Sequence, residues 1–140
     1  MPQIIYESIS GNTRKLADAM AGELGIKAVD VRAATIDPGA GVLFLGSGCY
    51  GREPGKNMSK LIETNKFQGR KVALFGTSGG GLGMEVKAMA EALKGKGAIV
   101  IGSYQCLGKV LPALNLINRG HPNNVDIEAA RKFAREMART

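Results

Sequence analysis

A short polar segment near the N-terminus has the residue types that bind an anion. Residues 8–13 read SISGNT, and four of these six side chains carry a hydroxyl or an amide while none is charged. The segment separates an apolar run at 3–7 from a helical pattern at 13–24. Backbone N–H groups at a helix start lack intrahelical partners, and the helix dipole is positive there, so an anion is stabilised.

Five of the six positions of the segment suit a phosphate site. Ser8, Ser10, Asn12 and Thr13 add polar hydrogens around the helix start, and Gly11 lets the backbone fold closely over a ligand. Neutral donors alone are therefore predicted to hold a phosphate. The plainer alternative is that Ser10 or Asn12 only caps the helix, which one residue does without the other three.

Alternating β-rich and helical patterns must position this segment. Strands are predicted at 3–7, 27–31, 42–46, 71–76 and 98–104, and helices at 13–24, 57–65, 83–95 and 125–138. Apolar strands alternating with helices indicate an α/β fold whose parallel sheet is covered on both sides. We expect residues 1–140 to form a single domain, with no regular element predicted over 105–124. Ligands of such sheets bind at the carboxyl edge, where strand order reverses.

The last predicted helix has the clearest pattern. Its apolar stripe consists of Ala130, Phe133, Ala134 and Met137. Asn123 follows a proline and precedes Asp126 by three residues, which predicts a pair of caps at the helix start.

SISGNT, followed by a helix that opens Arg14-Lys15-Leu16-Ala17, resembles the phosphate loop of the flavodoxin family, whose pattern is Thr/Ser-x-Thr-Gly-Asn-Thr. The resemblance extends to GSGCYG at 46–51, FGTSGG at 75–80 and GHPNNVDIEAARKFAREM at 120–137. It implies a flavodoxin-like three-layer αβα sandwich that binds FMN. The implied sheet has five parallel strands in the order 2-1-3-4-5, and flavodoxin is itself a standard example of the edge rule.

The resemblance also implies which residues bind the cofactor. The FMN phosphate would be bound by Ser8, Ile9, Ser10, Gly11, Asn12 and Thr13. The loops Ser47–Gly55 and Thr77–Gly83 would flank the isoalloxazine through Ser47, Gly48, Cys49, Tyr50, Gly51, Thr77, Ser78, Gly79, Gly80, Leu82 and Gly83. Tyr50 is the one aromatic residue of these two loops, so it is the candidate for stacking on the ring, and the alternative is a surface tyrosine. The chain departs from the family pattern in that the later loop has neither an aromatic nor an acidic residue.

Other motifs predict little chemistry. Gly46-x-Gly48-x-x-Gly51 fits the dinucleotide fingerprint, but Arg52-Glu53-Pro54-Gly55 follows where that motif needs a helix. One strand is predicted to lie between Cys49 and Cys106, which separates them by roughly 9.6 Å, beyond disulfide reach unless the loops bend together. No spacing of Cys or His suits a metal, and His121 is interpreted as a turn residue.

Composition limits the classes of partner. No run of 18 apolar residues exists to span a membrane, and two cysteines form no disulfide framework, so a cytoplasmic location is expected. The net charge of +7 favours acidic partners. Arg131, Arg135 and Arg139 form a basic row without aromatic residues, which argues for a solvated face rather than a nucleic-acid site.

The resulting hypothesis is a monomeric electron carrier that uses FMN, has no catalytic side chains and exchanges electrons with redox partner proteins through their acidic docking surfaces. An FMN-dependent NAD(P)H or quinone reductase is the enzymatic alternative. A flavin-free binding module with the same loop is the third possibility.

Overall fold

The computed structural model describes residues 1–108 and 120–140. The strands are β1 (Gln3–Glu7), β2 (Ala28–Asp30), β3 (Leu43–Gly48), β4 (Lys71–Ser78) and β5 (Ile99–Leu107). The helices are α1 (Asn12–Leu24), α2 (Lys56–Thr64), α3 (Met84–Gly95) and α4 (Asn124–Ala138), with one 3-10 turn at Val31–Ala33. None of the helices in these two ranges is long and apolar enough to cross a bilayer.

The strands form one parallel sheet in the order β2-β1-β3-β4-β5, which confirms the predicted α/β fold and strand order. The order reverses at β1, which lies between β2 and β3. Gly48 pairs with Thr77, and Thr77 pairs with Cys106, so the carboxyl ends of three strands lie side by side. The loops after β1, β3 and β4 therefore open at one edge of the sheet.

The sheet has an apolar core on each face, because successive side chains of a strand point to opposite sides. Ile4, Phe44 and Phe75 pack with residues of α1 and α4. On the other face, Ile5, Leu45 and Leu74 pack with residues of α2 and α3. These strands are apolar at successive positions because both faces are covered.

The predictions for the last helix are confirmed. Ala130, Phe133 and Ala134 are buried against the sheet, and Met137 packs beside them. The Asn123 side chain accepts from the Asp126 backbone N–H at 2.9 Å, and the Asp126 carboxylate accepts from the Asn123 N–H at 2.8 Å. This reciprocal pair is a capping box, which satisfies two N–H groups at the helix start.

The strands β3, β4 and β5 extend further than predicted. The prediction of no regular element from 105 onward is wrong for residues 105–107, which continue β5. These residues alternate between exposed Gln105 and buried Cys106, but their polarity hides the pattern in sequence. Partners along β4 supply the hydrogen bonds, so polar and glycine residues stay in the sheet. Residues 109–119 of the predicted loop lie outside the described residues.

Candidate functional site

The chain turns sharply between β1 and α1. Gly11 precedes the helix with φ 90°, a left-handed conformation that disfavours other residues. A Cβ at this position would meet nothing within 4 Å, so the backbone angle, and not crowding, requires glycine. The first turn of α1 contains no acidic residue that would compete with a bound anion. The helix start is therefore open to a negatively charged group.

The first three residues of this loop face outward to different degrees. Ser8 Oγ accepts from the Gly11 N–H at 3.1 Å, which leaves the hydroxyl hydrogen to donate elsewhere. The Ile9 N–H donates to Tyr50 Oη at 3.0 Å, and the Ile9 side chain is 78% exposed. Ser10 is half-buried beside the helix start. The loop thus retains hydroxyl donors at its surface.

Asn12 and Thr13 point into the protein. Thr13 Oγ1 lies 2.9 Å from Thr77 Oγ1 at the end of β4, and both residues are buried. Asn12 packs against Gly108, where a Cβ would come within 2.6 Å of Asn12 Nδ2. These two side chains tie the start of α1 to the ends of β4 and β5. The backbone N–H groups of Asn12 and Thr13 belong to the first turn of α1. These groups, and not the side chains, are therefore suited to bind a ligand.

A depression at the start of α1 also contains a cation that the sequence interpretation missed. Its lining consists of Ser10, Gly11, Asn12, Lys15, Gly120, His121 and Pro122. Lys15 Nζ donates to the Pro122 carbonyl at 2.9 Å, which places the charge beside the loop. His121 Nδ1 is 2.6 Å from Asp126 Oδ2, which lies in the first turn of α4. Lys15 follows Gly11 by four residues, and residues at this spacing lie on the same face of a helix. That spacing was the available signal in the sequence.

The loop after β3 is a tight hairpin. The Tyr50 N–H donates to the Glu53 carbonyl at 2.8 Å, and the Glu53 N–H donates back at 3.3 Å. The two residues between them, Gly51 and Arg52, have φ of 63° and 70°, as in a type I′ turn. Ser47 Oγ accepts from the Gly55 N–H at 2.8 Å and closes the base of the loop. No helix begins within the Gly-x-Gly-x-x-Gly motif, which excludes a dinucleotide fingerprint there.

Tyr50 bridges this hairpin and the loop after β1. Its ring lies over Gly48, where a Cβ would come within 2.6 Å of Tyr50 Oη. Burial of the ring raises the pKa of the Tyr50 hydroxyl, which stays protonated. Tyr50 is thus half-buried, and its stacking on a flavin stays a prediction.

The loop after β4 is rich in glycine and lacks an aromatic side chain. Ser78 Oγ accepts from the Gly81 N–H at 2.9 Å, while Gly79 and Gly80 are exposed. Gly83, with φ 67°, precedes α3. Leu82 is 71% exposed at the tip. The large side chain that this loop exposes is therefore aliphatic, that of Leu82, and not aromatic.

Glu7 is a positioning residue that the sequence interpretation missed. Its carboxylate accepts from the Met58 N–H at 2.7 Å and from Asn57 Nδ2 at 3.0 Å, so it caps α2. A Cβ at Gly55 would come within 2.1 Å of Glu7 Oε1, which explains the glycine there. An acidic residue at the end of an apolar strand was the available signal. Glu7 thus fixes the hairpin relative to the loop after β1.

The two cysteines are free, in agreement with the predicted separation. Burial raises the pKa of Cys106 to about 12 and also raises the pKa of Cys49, so both are thiols at neutral pH. Within residues 1–108 and 120–140, no group of His, Cys, Asp and Glu could hold a metal ion.

The fold agrees with comparisons to known proteins. Residues 3–119 match the flavodoxin domain, and the chain therefore belongs to the flavodoxin family. A flavodoxin of Clostridium beijerinckii is 31% identical over 110 residues, which cover 71% of this chain and 80% of that protein. An uncharacterized protein of Methanocaldococcus jannaschii is 29% identical over 143 residues, which cover 96% of this chain and 95% of that protein.

Solved structures share the same fold. A flavodoxin from the domain Archaea has a TM-score of 0.78 at 20% identity, covering 99% of this chain and 96% of that one. A flavodoxin of Fusobacterium nucleatum, solved with flavin mononucleotide bound, has a TM-score of 0.74 at 16% identity, covering 99% and 96% of the two chains.

Proposed function

We propose that this protein binds FMN and carries electrons between redox proteins. The observation that carries the proposal is the helix start at Gly11, which has no side-chain cap of its own and no acidic residue in its first turn. Hydroxyl groups of Ser8 and Ser10 surround it, and Lys15 adds a positive charge beside it. Such a donor set fits a phosphate monoester. Membership of the flavodoxin family and the flavin-bound Fusobacterium nucleatum structure support the same assignment.

The other two loops suit the ring of the cofactor. Tyr50 offers a half-buried aromatic surface held by Gly48 and by the Ile9 N–H, and the glycine-rich loop at 77–83 allows close approach from the other side. FMN supplies the electron transfer, and the protein binds it, orients it and limits its contact with water. No general base or nucleophile is needed for that role. We further propose that the partners are redox proteins with acidic docking surfaces.

The proposal predicts that FMN binds and that riboflavin binds far more weakly, because the helix start contributes through the phosphate. Replacing Gly11 by Ala should weaken FMN binding about tenfold or more, since alanine is strained at the positive φ that shapes the loop. The dissociation constants are measured by flavin fluorescence titration.

Gly22→Ala is the matched control, because Gly22 also has open space around it but lies inside α1 without a positive φ. It should bind FMN as the parent protein does. Equal dissociation constants for FMN and riboflavin would contradict the phosphate assignment. A protein that binds neither flavin would contradict the proposed function as a whole.

A further inference from the structure

Glu85 carries a buried carboxyl group close to the loop at 77–83. Its relative exposure is 0%, and neither carboxyl oxygen has a hydrogen-bond partner. It lies in the first turn of α3, directly after the loop at 77–83. Burial without a partner is costly for an acidic side chain, and an apolar residue would fill the same space without that cost. Packing alone therefore does not explain an acid here.

The carboxyl lies against β4 near the carboxyl end of that strand. A Cβ at Gly76 would come within 2.3 Å of Glu85 Oε1, so the carboxyl rests directly on the backbone of β4, one residue before Thr77. The Cys49 thiol, which follows β3, is close enough to influence the pKa of the carboxyl. Glu85 thus lies against the strand that leads into the loop at 77–83, and near the residue that follows β3.

The charges around Glu85 leave it without compensation. Burial raises the pKa of the carboxyl. The backbone N–H of Glu85 and the Cys49 thiol act in the opposite direction, but their effects are smaller. Neither group has hydrogen-bond geometry to the carboxyl oxygens. Cys49 after β3 and Cys106 on β5 are the thiols whose pKa the charge of Glu85 raises. In the described ranges, no Lys or Arg of α2, α3 or the sheet contributes to the pKa of Glu85.

We propose that Glu85 is a proton-binding residue of the cofactor site, which takes up a proton when the site gains an electron and releases it on reoxidation. This inference rests on the proposed function. A one-electron donor is oxidised, the cofactor gains the electron, and the Glu85 carboxylate gains a proton from solvent, so the charge of the site is unchanged. The physical reason is that two negative charges repel strongly where water is scarce, and protonation of Glu85 removes one of them.

The protonation of Glu85 is tested first without cofactor. Because its folded pKa is raised above the unfolded value, its contribution to stability is fully present below the unfolded pKa and is lost as pH rises through the folded pKa. The free energy of unfolding should therefore decline with pH more steeply in the parent protein than in Glu85→Gln. Glu91→Gln changes an exposed acid on the same helix and should decline as the parent does.

The redox link is tested on the FMN-loaded protein. Midpoint potentials are measured over a pH series for the parent, Glu85→Gln and Glu91→Gln, with dithionite as reductant. We consider the pH range in which Glu85 is ionised before reduction and protonated after it. In that range, the parent protein and Glu91→Gln should each take up one more proton per electron than Glu85→Gln does. Glu85→Met provides a second variant without a titratable group if the glutamine protein does not fold.

The outcomes separate this inference from the function on which it rests. Normal FMN binding with the same pH dependence of the potential in all variants overturns the role of Glu85 alone. An identical decline of the free energy of unfolding with pH in the parent and Glu85→Gln also overturns the role of Glu85, and this comparison needs no cofactor. Absence of FMN binding in the parent protein overturns the proposed function and this inference together.

Discussion

At the scale of single residues, close backbone approach at the strand ends decides how the loops are placed. Gly76 is a clear case, because a Cβ there would come within 2.3 Å of Glu85 Oε1 and 2.9 Å of Val86 Cγ2. Gly76→Ala should lower the free energy of unfolding by about 1–3 kcal/mol, since the start of α3 must move away from β4. Urea unfolding followed by circular dichroism measures this loss.

Gly22→Ala is the comparison for this prediction, since nothing lies within 4 Å of the new methyl group. Because alanine is the better helix former, stability should rise by up to about 1 kcal/mol. Equal effects of the two substitutions would show that α3 does not rest on β4 as described.

At the scale of elements, a side chain distant in sequence holds the end of α2. Lys96 Nζ donates to the carbonyls of Ile62 and Glu63 at 2.7 Å each, and also to that of Asn65. Lysine satisfies carbonyls that a helix end leaves unpaired, and its charge suits the negative end of the dipole. Lys96→Met should therefore lower the free energy of unfolding by about 1–3 kcal/mol. Lys94→Met, at an exposed position two residues earlier, should change it little, and a similar loss there would argue against the capping role.

At the scale of the whole molecule, the net charge of +7 bears on the choice of partner. Opposite charges speed the encounter of two proteins, and added salt screens this attraction. Electron transfer with an acidic redox partner should be faster than with a basic one, and its bimolecular rate constant should fall about tenfold from low to high ionic strength. Stopped-flow measurements over a salt series test this. A rate independent of salt, or a preference for the basic partner, would contradict the proposed acidic docking surface.

The sequence by itself determined the sheet, the helices and the position of the candidate phosphate loop. Those features depend on local signals: the apolar strands around Ile5 and Leu74, the cap pair Asn123 and Asp126, and the SISGNT turn before a helix. Such signals are carried by neighbours along the chain, so that spacing alone reveals them.

The tertiary structure alone decided which distant residues meet at the edge of the sheet. Glu7 caps α2, Thr13 contacts Thr77, and Lys15 reaches Pro122, although each pair is far apart in sequence. Glu85 was indistinguishable in sequence from an ordinary acid at a helix start, where the dipole favours it. Only the register of α3 on β4 turned it inward, because burial depends on packing between elements that no local pattern encodes.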